Sequence, residues 1–431
     1  MKKHYRKIVC CLLAAAMMAG LTGCTTYNNF KAAFFPGERA AAEPTIKIGI
    51  YESMTGLNSV QGKAEALGIE MAKELYPEVL GRKVELVYAD NQSNMYVGET
   101  VIQELISQKP MVVLGSCGET LTLMASDYIK AASIPAITIS ATNPLITSNN
   151  EFYFSATYTE SRQGDALAEF AYTDNNIEKV ATLKQVNDDA ATETLKRFTN
   201  RIKKLTGNNK CVVGSYTVEA DTADYTATIE AIRNSGAQAV FVAMDPVSSQ
   251  NLLKQAVEQE LTDILWLGGR SWHTADFVDY VKSQPVLNVG YSSDFSLEVI
   301  NDTSKAFMEL YKSKFGEEAE PSEATAVAFD AYMLAMKAIE NAQAAVMETT
   351  VEDLAERYQT EAALKAATDE LLAAQESGIP SGRHIKMALS ATENYEGASG
   401  TISFGGKNEA TKTITVHHFF GGDEIGHYYA D

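Results

Sequence analysis

From Ile46 onward the chain alternates short apolar runs rich in β-branched residues with amphipathic stretches of helical period. The first passage reads "IKIGIY", then "VQGKAEALGIEMAKELY", "KVELVYAD", "YVGETVIQELISQ", "MVVLG", "TLTLMASDYIKAA" and "AITIS". Strands that must each be followed by a helix before the next strand predict a parallel sheet wrapped by helices. The same grammar restarts after "NEFYFSAT", running from "RQGDALAEFAYT" and "KVATLKQV" through "CVVGSYTV" and "AVFVAM" to "DILWLGG". The fold class expected is therefore α/β, with two doubly wound parallel-sheet lobes. Residues 345–376, rich in alanine and glutamate, read as a helical insertion with one solvent-facing side.

The N-terminus reads differently. "MKKHYRK" is a basic segment, "IVCCLLAAAMMAG" an apolar one, and "LTGC" follows at once. The apolar run is short for a spanning helix. Leu21-Thr22-Gly23-Cys24 resembles the bacterial lipobox, which implies a lipoprotein signal peptide over 1–23 and lipidation of Cys24. Residues 24–44 lack a period and read as a tether. The body is then expected outside the cytoplasm, lipid-anchored to the bacterial cell membrane.

Charge narrows the partners. The formal net charge is −20, and removal of Lys2, Lys3, Arg6 and Lys7 with the signal makes it −24. Such a balance repels phosphate backbones, so nucleic acid is excluded as the expected partner. Cys117 and Cys211 fall in different passages and predict no disulfide framework. No GxSxG elbow, P-loop or HExxH helix is present. His417 and His418 are expected on opposite faces of a strand, where they would not chelate one metal together, and His427 is expected on a nearby loop. Cys117 sits where a helix start would lower a thiol pKa, yet no histidine partner can be assigned to it. Neither an enzyme, a cofactor nor a metal is expected.

Several segments carry a resemblance: "SMTGLNSVQG" with "ALGIEMA", "VVLGSCGETLTLMASDY", "IPAITISATNP", "RQGDALAEFAY", "LGGRSW", "YKSKFGEEAEPSEATAVAFDAYMLA" and "YEGASGTISF". Together they resemble the periplasmic binding protein type I family, and within it the Leu/Ile/Val-binding-like proteins of ABC importers. The resemblance implies a Venus flytrap of two lobes joined by a multi-strand hinge and closing over a ligand. Lobe one would take 45–155 and 290–398, and lobe two 156–289 and 399–431. It implies a monomer that captures an amino acid or related carboxylate and hands it to ABC permease subunits. A sensory protein that signals to a membrane partner without transport is the alternative.

The same resemblance implies the site. A ligand carboxylate would be met by the turn Ser116, Cys117, Gly118, Glu119 and Thr120, and by Ser140, Ala141 and Thr142. Amides at a helix start do favour an anion there. Two polarities are inverted: Glu119 falls at or beside the family's serine, and Arg270 where the family often carries an acid for the ligand ammonium. Asp189 and Asp245 fall near positions often held by tyrosine, and Gln61 near an aromatic or apolar wall. Trp272 and Tyr291 are expected to line the cleft, with Tyr51 and Tyr96 as further aromatic candidates. Arg270 would grip a carboxylate in fork geometry while Glu119, Asp189 or Asp245 receives an amine or hydroxyl. Alternatively Glu119 and Arg270 neutralise each other, or Arg270 faces solvent.

Overall fold

A computed structural model describes residues 45–429 apart from 159, 187 and 299. The signal segment, Cys24 and the tether lie outside the described residues. The described chain divides into two compact units. The first holds the residues up to Ala141, Leu145–Phe154 and Ala331–Ser390; the second holds Thr142–Pro144, Ser155–Asp330 and Ala391–Asp431.

The first unit is built on a six-stranded sheet: β1 (Ile46–Glu52), β2 (Glu78–Val79), β3 (Arg82–Asp90), β4 (Val112–Leu114), β5 (Ala136–Thr138) and β6 (Tyr153–Ser155), in the order β2-β3-β1-β4-β5-β6. Strand β1 lies parallel to both β3 and β4, and β4 parallel to β5. Ile50 and Tyr51, adjacent and so on opposite faces of β1, are both fully buried, as a strand covered on both faces requires. Helices Ser59–Leu75, Met95–Ser107 and Glu119–Ala132 follow β1, β3 and β4. Asn94 caps the second of these by accepting from the N–H groups of Tyr96 and Val97. After β3 the chain passes β1 to lay down β4 on its other side. The loops leaving β1 and β4 therefore diverge at the carboxyl edge, which makes this a topological switch point.

The second unit repeats the plan with β7 (Val180–Gln185), β8 (Val212–Val218), β9 (Ala239–Ala243), β10 (Leu265–Gly268) and β11 (Asn288–Ser293). A small sheet of β12 (Tyr395–Gly397), β13 (Gly400–Ser403) and β14 (Thr411–Lys412) follows, and β15 (Ile414–Phe420) and β16 (Asp423–Tyr429) return to the main sheet. Its order is β16-β15-β11-β10-β9-β7-β8, so its switch point lies between β7 and β9. Strand β11 pairs parallel with β10 and antiparallel with β15. This corrects the expected boundary: 290–330 and 391–398 belong with the second unit, because the chain completes β11 there before departing at Asp330. The segment 345–376 is helical as read, with helices Val351–Arg357 and Glu361–Ser377 packing Leu354, Leu371 and Ala374 against Val346. Among the described residues no helix is long and apolar enough to cross a membrane.

A buried ionic group ties the second unit's late strands to its centre. Lys412, 1% exposed, places Nζ 3.4 Å from Asp294 Oδ1 and donates to Ser399 Oγ at 2.7 Å. Asp330 in turn accepts the N–H groups of Ala398 and Ser399 at 2.6 and 2.8 Å. Removing one partner of such a group strands charge in a dry interior. Lys412→Met is expected to lower stability in chemical denaturation by about 3–5 kcal/mol; an unchanged midpoint would show that the lysine compensates nothing.

Candidate functional site

Each unit presents polar residues at the carboxyl edge of its parallel strands, where ligands of such sheets lie. In the first unit the edge is formed by Glu52 at the end of β1, Asn91 after β3, the turn after β4 and Ser140 after β5. Asn91 is fully buried and braces the turn, donating from Nδ2 to Ser116 Oγ at 3.0 Å and accepting from Ser53 Oγ at 2.7 Å. The Cys117 N–H donates to Glu52 Oε2 at 3.0 Å. Ser140 Oγ donates to Glu65 Oε1 at 2.5 Å, and Gln61 Nε2 donates to the same oxygen at 3.2 Å. Both glutamates are fully buried. Burial, then the adjacent Glu65 carboxyl, push Glu52 well above the usual carboxylate range, with the Cys117 N–H opposing.

The expected anion turn is thus already in contact with a carboxyl of the protein. Gly118 is its helix N-cap, and Glu119 and Thr120 stand exposed in the first helical turn. An acid in that position complements the macrodipole, which gives Glu119 a structural role in its own helix. The Cys117 thiol is pushed up by burial and by Glu52 and Glu65, the opposite of what activation at a helix start requires.

In the second unit a cavity of about 270 Å³ opens at the switch point between β7 and β9. Its lining includes Thr142, Tyr158, Gln163, Asp188, Thr194, Asp245 and Arg270. Asp188 and Asp245 each follow one of the diverging strands and cap the next helix. Asp188 accepts from the Ala191 N–H at 2.8 Å, and Asp245 from the Val247 and Ser248 N–H groups at 3.0 and 2.9 Å. Burial works against ionisation of Asp245, but donors from Ser248, Val247 and Gln185 outweigh it and hold the carboxyl below its ordinary range. The Asp189 backbone starts the helix Asp189–Thr206, and its side chain lies outside the described residues.

Arg270 lines this cavity with its guanidinium already engaged. Nη1 donates to Thr157 Oγ1 at 2.9 Å and lies 3.5 Å from Asp294 Oδ2, while Nη2 is 3.2 Å from Glu323 Oε1. Its backbone N–H donates to Gln163 Oε1 at 2.9 Å. Burial alone would raise Glu323, but Arg270, His273 and Ser293 hold it down at about 2. Burial raises Asp294 despite the opposing Lys412 charge. Arg270 therefore neither faces solvent nor offers an unengaged fork for a ligand carboxylate. It is compensated by two acids of its own unit.

Two aromatic expectations are also corrected. Trp272 is fully buried, its indole N–H donating to Ser249 Oγ at 3.0 Å and its ring 4.6 Å from that of Phe277. Gly268 makes this slot, since a Cβ there would meet the indole at 2.0 Å. Tyr291, 1% exposed, stacks between His417 and Phe419 at ring separations of 5.1 and 5.9 Å. Both rings are core, held away from solvent by their own sheet. Tyr51 is likewise buried, Tyr96 is 85% exposed, and Gln61 is exposed on the first turn of Ser59–Leu75. Of the residues read from sequence, the cavity gathers Thr142, Asp245 and Arg270. Sequence reasoning missed Tyr158, Gln163, Asp294 and Glu323, and missed Glu52, whose charge closing the apolar strand "IKIGIYE" was the available signal.

The chain belongs to the periplasmic binding protein family, which matches it over residues 45–416. A curated amino acid binding protein from Pseudomonas aeruginosa is 26% identical over 222 residues, which cover 50% of this chain and 58% of the relative; the match thus spans under two thirds of that protein. A leucine binding protein from Thermotoga maritima is 22% identical with a TM-score of 0.67, covering 89% of this chain and 98% of that one. A branched-chain amino acid transporter substrate binding protein from Streptococcus pneumoniae, solved with isoleucine, is 23% identical with a TM-score of 0.69 over 90% of this chain and 100% of the other. A solute binding protein from Rhodopseudomonas palustris, solved with 3,4-dihydroxybenzoic acid, is 20% identical with a TM-score of 0.67 over 90% and 98%. At these identities the solved structures establish the shared Venus-flytrap fold of two α/β lobes. Family and fold are those of binding proteins. Among the described residues no group of three or more His, Cys, Asp or Glu side chains is arranged to hold a metal.

Compensation of Arg270 sets a pH signature. Glu323 has a folded pKa depressed from its ordinary 4.5 to about 2, so its stabilising contribution is full above 4.5 and is lost as pH falls toward 2. Arg270→Met is expected to destabilise by on the order of 3 kcal/mol at neutral pH, with the deficit shrinking as denaturation is repeated at lower pH through that window. A deficit independent of pH would show that the guanidinium serves packing alone.

Proposed function

We propose that this protein is an extracytoplasmic solute-binding component of an ABC importer, tethered by a lipid on Cys24, that captures a small polar solute bearing an amine. The observation that carries the reading is the cavity at the second unit's switch point, with Asp188 and Asp245 on its rim and Arg270 already matched by Asp294 and Glu323. A cavity of about 270 Å³ is at the small end of ligand sites and suits a solute of amino-acid size. The acids at its rim supply acceptors for an ammonium or hydroxyl group, and the Arg270 charge that would oppose an amine is offset from behind. Membership of the periplasmic binding protein family supports capture rather than turnover. The amino acid and hydroxybenzoate ligands of the solved neighbours mark the range of solutes to try first.

Asp245→Asn keeps an effective helix N-cap while deleting the charge. Calorimetry with a panel of amino acids, small amines and hydroxybenzoates is expected to find one saturable ligand class, weakened about tenfold by Asp245→Asn. Absence of saturable binding across the panel would end the proposal, and a ligand indifferent to Asp245→Asn would place the amine elsewhere.

A further inference from the structure

The turn opening the helix Glu119–Ala132 is where the first unit's backbone would favour an anion: it lies at that unit's switch point and leads into a helix start, whose amides are not used within the helix. The protein fills it from within. Glu52 ends β1 directly beside the turn, is fully buried and takes the Cys117 N–H. The turn is shaped around this carboxyl. Gly115 has φ +106°, and a Cβ there would lie 2.3 Å from Glu52 Oε1 and 2.2 Å from the Tyr51 carbonyl oxygen, so no larger residue fits beside it.

The second donor is used in the same way. Ser140 Oγ, on the loop after β5, gives its hydrogen bond to Glu65. Glu52 and Glu65 interact directly, and burial together with their mutual repulsion favours one shared proton over two charges. The Cys117 amide and the Ser140 hydroxyl are thus both satisfied by protein carboxyls, and a second anion brought to the turn would meet like charge in a dry setting.

We infer that Glu52 is a specificity-determining residue of the first unit: it fills from within the position at which the turn after β4 would hold an anion, and so closes that turn to an external carboxylate. The inference rests on the solute-binding reading above and concerns the first unit's edge alone.

The test uses sodium acetate as the probe and the Cys117 amide resonance of ¹⁵N-labelled protein as the reporter, at constant ionic strength. In the wild type the resonance is expected not to shift saturably with acetate. Glu52→Ala opens the turn, and the resonance is expected to shift saturably, with acetate bound about tenfold or more tighter than by the wild type. Should the alanine variant not fold, Glu52→Ser vacates the same space with a polar side chain and carries the same expectation. A saturable wild-type response, or a folded variant that ignores acetate, would overturn the assignment. Failure of the calorimetric panel would remove the solute-binding reading while leaving the Cys117 result intact, so the two are separable.

Discussion

A carboxyl taken out of water must meet a cation or a set of donors, and that requirement organises the functional edges of both units. Asp330 meets two backbone N–H groups, Asp294 has Lys412 and Arg270 beside it, Glu323 has Arg270 and His273, and Glu52 has the Cys117 N–H and Glu65. Except for Glu52 with Glu65, each of these contacts joins segments far apart in the chain. The strands bring the segments to the same edge, and the carboxyls then fix the loops. The architecture follows from strand order, while the character of the site follows from how its acids are compensated.

This compensation changes what individual residues mean. Arg270 alone suggests a grip for anions, yet with Asp294 and Glu323 behind it the guanidinium becomes part of a balanced group. The second unit's cavity then draws its character from Asp188 and Asp245. In the first unit an amide turn suited to anions is matched internally by Glu52. Each change, within its own unit, leaves a group suited to anions already engaged by a carboxyl of the protein.

The alternation of strands and helices was legible because the helices are long enough to show their period and the strands between them are short apolar runs; β1, β3, β4, β7, β9 and β10 lie where those runs fall. The unit boundary near 290 was not, because a buried strand reads alike whichever sheet it joins; only pairing assigns β11 to β10 and β15. Asp245 and Arg270 were singled out because they match positions at which the resembled family binds its ligand, and both lie just past strand ends. Their partners escaped notice because Asp294 and Glu323 arrive from later segments, and no local pattern marks a long-range ion pair. Trp272 misled for a related reason. A tryptophan past a strand end looks available to a ligand until the space left by Gly268 and the Ser249 hydroxyl are seen to accommodate it.

Both edges depend on acids whose ionisation is set by their partners, and the most direct measurement is a ¹³C-observed titration of the side-chain carboxyls. Glu323 is expected to titrate near 2 and Glu52 well above 4.5, because one carboxyl faces a guanidinium and the other a second buried carboxyl. If both titrate together near the ordinary 4.5, as acids in water do, the compensation described here is absent and the reading of the site goes with it.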